Sequence, residues 1–343
     1  MSVKSSKLLQ ILDDSAAEFQ YSGGEWTVST LVEWYQGTSM YPAFANSTLF
    51  GTLTLSFEGN TPGDALQSAT VSIDGGQPYT IIYSTTTPPP AYIQWYQSPT
   101  LSDGKHTITL AHLDRTAVDC ALVEVGQNTP LIGKTILVDN DDPAIQYSGT
   151  WTRDVNEFDA STLPDGFPLQ NSTHRSSTLG DTVKLRFSGT FVAVYGIFDW
   201  AKLGLLSATY TLDGDVLSQS YPVTTTSERY QAKDRQASNF LYFSQENLPP
   251  GDHTLVVNIT EAQNQTFILD YITYMPSFST LSTMLNLTTS ASPSSPTISS
   301  SEVPNASLSA TPTQSGLQGS HNSTNLKTTL LCSIAGDGAQ IRD

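Results

Sequence analysis

The chain is poor in charge and poorer still in positive charge. Only 14% of its 343 residues are charged, and 15 bases face 32 acids, for a net charge of −17. The first 135 residues carry 12 acids against 5 bases, and residues 136–277 carry 17 against 8. Such a surface repels phosphate backbones and argues against nucleic acid as a partner, while leaving neutral ligands and divalent cations open. There are two cysteines, Cys120 in an apolar run and Cys332 near the C-terminus. Cys120 reads as a small buried hydrophobe, so the fold does not rest on disulfides. No window reaches the ~18 apolar residues of a membrane span. Leu8-Leu9-Gln10-Ile11-Leu12 is too short for a signal-peptide core, so neither export signal nor anchor is expected in this sequence. No His-Glu-x-x-His, Gly-x-Ser-x-Gly or phosphate loop occurs, and the expectation is a protein without catalytic activity.

What is present is aromatic and repetitive. Fifteen Tyr, thirteen Phe and five Trp favour strands. Leu12-Asp13 through Tyr21-Ser22-Gly23 aligns without gaps on Val138-Asp139 through Tyr147-Ser148-Gly149, and Trp26-Thr27 then meets Trp151-Thr152. Three further matches follow in the same order. Phe57-Glu58-Gly59 meets Phe187-Ser188-Gly189, Ile73-Asp74-Gly75 meets Leu212-Asp213-Gly214, and His106-Thr107-Ile108 meets His253-Thr254-Leu255. A duplicated unit follows.

Each copy reads as antiparallel strands. Val183–Phe187 alternates apolar and polar residues, the period of a half-buried strand, and Phe191–Gly196 is continuously apolar, as a central strand is. Asp-Gly pairs mark hairpins. The expected fold is all-β, two tandem jelly-roll sandwiches spanning residues 8–135 and 136–277. The first copy is shorter: 17 residues separate Phe57 from Asp74, against 26 from Phe187 to Asp213, and it lacks a counterpart of Phe191–Gly196. From Ser277 to Thr329, 25 of 53 residues are Ser or Thr, so residues 278–343 read as a disordered, Pro-punctuated stalk and tail.

The run Val138-Asp139-x-x-Asp142-Pro143-x-Ile145-x-Tyr147-Ser148-Gly149-x-Trp151, followed by Phe187-x-Gly189, Val194-Tyr195-Gly196 and Gly251-x-His253, resembles a group of fungal, basidiomycete-type surface proteins. These carry tandem galactose-binding-domain-like jelly rolls, a Ser/Thr-rich stalk, one membrane helix and a cytoplasmic tail. The resemblance covers residues 8–330, well in the second copy and partly in the first. It implies a cell-surface or extracellular location. The sequence departs from it in having no leader and in stopping after Leu330-Leu331-Cys332-Ser333-Ile334-Ala335-Gly336, where the membrane helix would follow.

Trp200 beside Asp199 and Lys202, and Trp95 with Tyr96 after a Pro-Pro-Pro run, lie in loop-like contexts where a ring can stack on a sugar face. The plainer reading is ordinary packing. Asp139, Asp141 and Asp142, mirrored by Asp13 and Asp14, could take a structural Ca²⁺, or Asp139 could cap a turn while the others face water. No other cofactor is indicated. Trp26 and Trp151 read as core. His106 and His253 read as turn-fixing residues. The run Glu228–Arg235 is a basic island, suited to an acidic glycan or to internal ion pairs. Seven Asn-x-Ser/Thr sequons stand at Asn46, Asn171, Asn258, Asn264, Asn286, Asn305 and Asn322. Two functional readings result: a glycan-binding adhesion module, or a structural or protein-interaction module without a sugar site, with an accessory module of a carbohydrate-active enzyme as a further alternative.

Overall fold

A computed structural model describes residues 8–31, 33–42, 51–58, 67–83, 93–113, 117–160, 165–284 and 328–332. These residues are almost entirely strand, as the aromatic and alternating patterns require. The first half holds β1 (Leu9–Asp13), β2 (Phe19–Ser22), β3 (Trp26–Thr30), β4 (Thr38–Pro42), β5 (Gly51–Glu58), β6 (Gln67–Ile73), β7 (Tyr79–Tyr83), β8 (Ile93–Gln97), β9 (Lys105–Leu113) and β10 (Cys120–Glu124). The second half holds β11 (Thr135–Asp139), β12 (Gln146–Ser148), β13 (Thr152–Asp154), β14 (Thr173–Ser176), β15 (Thr182–Asp199), β16 (Gly204–Leu212), β17 (Asp215–Val223), the short helix α1 (Glu228–Gln231), β18 (Gln236–Gln245), β19 (Gly251–Gln263) and β20 (Phe267–Pro276). A last strand, β21, spans Thr328–Cys332.

One antiparallel pairing scheme occurs twice. In the first half β1 pairs β10, β2 pairs β5, β3 pairs β4, β5 pairs β9, β9 pairs β6 and β6 pairs β7. In the second, β11 pairs β20, β12 pairs β15, β13 pairs β14, β15 pairs β19, β19 pairs β16 and β16 pairs β17. The registers agree residue by residue. Asp13 lies opposite Cys120 and Asp139 opposite Tyr271; Phe57 lies opposite His106 and Phe187 opposite His253. Both Asp-Gly pairs turn hairpins with positive φ, 51° at Asp74 and 53° at Asp213. Asp tolerates the left-handed region and Gly prefers it, which is what a tight hairpin needs.

β15 is the element that makes the second module a closed sandwich. Its first half alternates in burial and pairs β12 and β19; its second half is buried continuously and pairs β20 and β18. The strand therefore crosses from one layer to the other, with a register irregularity between Gly189 and Phe191. Gly196 allows the second half to press against β20, since a Cβ there would stand 1.8 Å from the Ile268 carbonyl oxygen.

Among the described residues the first module has no such crossing strand: β5 ends at Glu58. The shortfall read from the spacing is real, and its consequence was not foreseen. β21 pairs antiparallel with β10 on one side and β8 on the other, the place that the second half of β15 takes between β20 and β18. Leu122 faces Thr329 as Thr273 faces Ala193. Part of the expected disordered tail is thus a strand of the first module. The boundary at 277 also moves: Phe278 is buried, and Leu281 and Met284 pack on the second core. The remainder of the stalk lies outside the described residues.

Each module has its own apolar core. That of the first includes Leu53, Val71, Trp95, Ile108 and Leu110; that of the second includes Leu185, Phe187, Phe198, Tyr210 and Phe267. Between them, β11 pairs β1 as well as β20, so the facing sheets run on as β20-β11-β1-β10. Ile11, Tyr35, Cys120, Leu122, Leu137, Ala193, Tyr195 and Tyr271 form a third buried cluster across that seam. Burial of these side chains stabilises the contact between the two modules.

Candidate functional site

The two repeated histidines occupy equivalent clips. His253 Nδ1 bonds Asp213 Oδ2 at 2.5 Å and Nε2 bonds the Pro249 carbonyl at 2.9 Å; His106 bonds Asp74 Oδ2 at 2.8 Å and the Ser102 carbonyl at 2.9 Å. The other oxygen of each aspartate accepts a backbone N–H, from Thr254 at 2.7 Å and Thr107 at 2.8 Å. A carbonyl cannot donate, so Nε2 must carry a proton; the carboxylate calls for one on Nδ1 as well. In His253 these bonds hold the ring as an imidazolium between two turns. Burial works against the charge on His253, but the bonds to Asp213 and Pro249 outweigh it and raise its pKa. These histidines hold hairpins, as their positions in the sequence suggest.

The acidic turn does not assemble a metal site. Asp139 Oδ1 accepts the Asp141 N–H, Asp141 is held bidentately by Arg153 and accepts from Ser172, and Asp142 Oδ1 accepts the Ala144 N–H, each at 2.7–2.9 Å. Asp141 and Asp142 direct their oxygens to different partners, and the second oxygen of Asp139 is buried without one. Among the described residues no group of three or more His, Cys, Asp and Glu could hold a metal ion. The donor set does not fit Ca²⁺, and the turn-capping reading of Asp139 describes what is found. Ser172 donates to a carboxylate and not to an imidazole, so it is no activated nucleophile.

Sequence reasoning missed the most unusual feature of this region. Asp119, immediately before β10, and Asp270, within β20, take equivalent places and are buried; each accepts one backbone N–H, from Tyr35 at 2.8 Å and Leu169 at 3.2 Å. With Asp13, Asp14 and Asp139 they form a buried carboxyl group in each module. One oxygen of Asp13, Asp14, Asp139 and Asp270 is buried without a hydrogen-bond partner. Burial, with mutual repulsion, pushes Asp139 up to about 7 and Asp14 to about 6, and lifts Asp13, Asp119 and Asp270 as well. The signal was a lone acid inside an apolar run at the same place in both copies.

The aromatic candidates divide. Trp95 and Tyr96 sit in β8 and are 0% and 3% exposed, so the first module's proposed stacking pair is core. Their strand is the counterpart of β18, where the similarly placed Tyr242 is also buried. Trp95 and Tyr96 are buried in the first module's apolar core. Trp26 and Trp151 are half-buried and pack on their cores against Tyr21 and Tyr147, with ring centroids 4.8 and 5.3 Å apart.

Trp200 remains half-buried at one end of the second sandwich. It leaves β15 beside Asp199, which pairs with Lys202 at 2.9 Å, and Leu203 next to them is 38% exposed. The Trp200 backbone N–H donates to the Arg235 carbonyl at 2.8 Å, and the Arg229 guanidinium lies 5.4 Å from the ring centre. The basic island is not free. Arg229 pairs with Glu33 of the first module and with Asp234 at 2.7 Å, and Arg235 pairs with Asp159. The island therefore ties the modules together and cancels its own charge, which removes the acidic-glycan reading. It leaves a partly buried indole that packs on Phe198 and Phe240, with its Nε1 buried and with Asp199, Lys202 and Arg229 beside it.

Of the sequons, Asn171 and Asn264 are exposed; the Asn264 amide donates to the Leu203 carbonyl at 2.8 Å. Asn258 lies within β19, between β15 and β16. Asn46, Asn286, Asn305 and Asn322 lie outside the described residues.

No family model matches the chain. No curated protein matches it. Among solved structures it is similar to a family two carbohydrate esterase from Cellvibrio japonicus, at 12% identity over 41% of this chain and 33% of that one, with a TM-score of 0.25. A two-domain esterase active on acetylated mannans matches at 16% identity over 45% and 39%, TM-score 0.27. A family GH115 4-O-methyl-α-glucuronidase matches at 19% over 30% and 14%, TM-score 0.24. The chain spans well under two thirds of each of these carbohydrate-active enzymes, and the matches are weak. Among the described residues no helix is long and apolar enough to cross a membrane.

Proposed function

We propose that this is a non-catalytic glycan-binding β-sandwich protein displayed at a cell surface, whose sugar contact is the Trp200 end of the second module. The first module acts as a rigid support. The observation that carries the reading is the partly exposed Trp200, backed by Phe198 and Phe240, with Asp199 and Lys202 beside it: apolar surface for sugar C–H groups, and charged groups for hydroxyls. The exposed sequons at Asn171 and Asn264 suit a secreted surface. The absence of catalysis is supported by His106 and His253, both committed to hairpins.

The test is a glycan array followed by calorimetry on the full chain. Trp200→Ala is expected to weaken binding at least about tenfold, or ~1.4 kcal/mol, and Lys202→Ala by less. Silence across neutral and acidic glycans, or an unchanged Trp200→Ala variant, would favour the second reading, a structural or interaction module. The Arg229 bridge from Trp200 to Glu33 is what favours that alternative.

A further inference from the structure

We propose that the slot between β8 and β10 is a strand-accepting site whose ligand is the extended segment Thr328–Cys332, taken here from the same chain and, when that is lacking, from a second copy. Three observations lead there. The first module is nine residues shorter than the second between Phe57 and Asp74, about the length of β15 beyond its crossing point. β10 is buried along all five residues, and a buried strand edge without a partner leaves N–H and C=O groups unpaired. β21 then enters with the direction and register that β15 has in the intact copy: Leu122 opposite Thr329 matches Thr273 opposite Ala193, and Tyr96 opposite Leu330 matches Phe243 opposite Val194.

The segment has the composition of a strand ligand. Thr328-Thr329-Leu330-Leu331-Cys332 is uncharged and free of Pro and Gly. Its register sets Leu331, not Cys332, opposite Cys120. Forty-three residues separate it from Met284. Fully extended they reach roughly 140 Å. A tether so long imposes no geometry on the slot. It supplies effective concentration, on the order of millimolar or below, so a second copy competes at similar concentration. Recognition is therefore by main-chain pairing, the mode of β-augmentation.

Hydrogen–deuterium exchange tests this on the full chain, a chain ending at Lys327, and full-length Leu330→Pro. Proline removes a ladder N–H from a strand paired on both sides. Exchange at Ile93–Gln97 and Cys120–Glu124 is expected to rise at least tenfold in both variants, while Phe240–Gln245 and Tyr271–Met275 of the second module stay protected. A synthetic peptide of residues 327–334 should restore protection to either variant, and its Leu330→Pro form should not. At millimolar concentration the intact chain should exchange strands and form dimers, and the Lys327 truncation should not. Equal exchange in all three proteins, no rescue by the peptide, or loss of second-module protection in both variants would overturn the proposal.

Discussion

Replacing His253 by alanine is expected to destabilise the second module by about 2–3 kcal/mol, the scale of losing two hydrogen bonds to a buried charged ring. Asp213 is half exposed and will be rehydrated, which keeps the loss below that of a fully buried pair. For a unit of this size the melting temperature should fall by several degrees, roughly 3 °C per kcal/mol. His253→Ala should do this without changing glycan binding. The effect should also depend on pH in a fixed direction. The folded pKa of His253 lies above 6.5, so its contribution is full below the unfolded value and fades as pH rises through the folded one. The melting difference between wild type and His253→Ala, followed by calorimetry, should therefore shrink from pH 6 to pH 9. A difference that grew with pH would contradict a doubly bonded imidazolium.

The buried carboxyls should make the whole protein more stable in mild acid than at neutral pH. Their folded pKa values are raised, to about 7 for Asp139 and about 6 for Asp14, against an ordinary value of 3.8. The folded state therefore binds more protons than the unfolded one between those limits. Their stabilisation is complete below the unfolded value and is lost as pH climbs through 6 and 7, at up to about 1.4 kcal/mol per pH unit for each group. Asp74, Asp141, Asp181 and Asp213 have lowered values, and their losses come in stronger acid. His174, lowered by burial, works the opposite way near its own value. The Asp139→Asn variant separates these terms. Wild type should lose several degrees of melting temperature from pH 4.5 to 7.5, and Asp139→Asn should lose less. Parallel profiles would show that Asp139 is ionised throughout.

The fold was legible because its signals are local. Alternation over Val183–Phe187 and the unbroken run Phe191–Gly196 state which half of β15 lies between a covered and an open face, and which is covered on both. The Asp-Gly and following His mark the same hairpin clip in each copy. What stayed hidden depends on long-range pairing. Nothing in Thr328–Cys332 by itself names β10 as its partner; only the vacancy left by a short first copy does. Trp95 misled because three prolines stand before it, whereas the strand they precede turns the ring into the first module's core. Trp200 stands out in the sequence, but Glu33, which pairs with the Arg229 beside its ring, lies 196 residues away from that arginine in sequence. Asp119 and Asp270 escaped because a buried acid looks, in sequence, like any other.

The central claim is that residues 328–332 complete the first module as 192–195 complete the second. Cross-strand proton contacts in the isotopically labelled full chain address it directly. The account predicts a contact between Leu122 and Thr329 matching one between Thr273 and Ala193. The second contact without the first, with β10 paired to β1 alone, would contradict it.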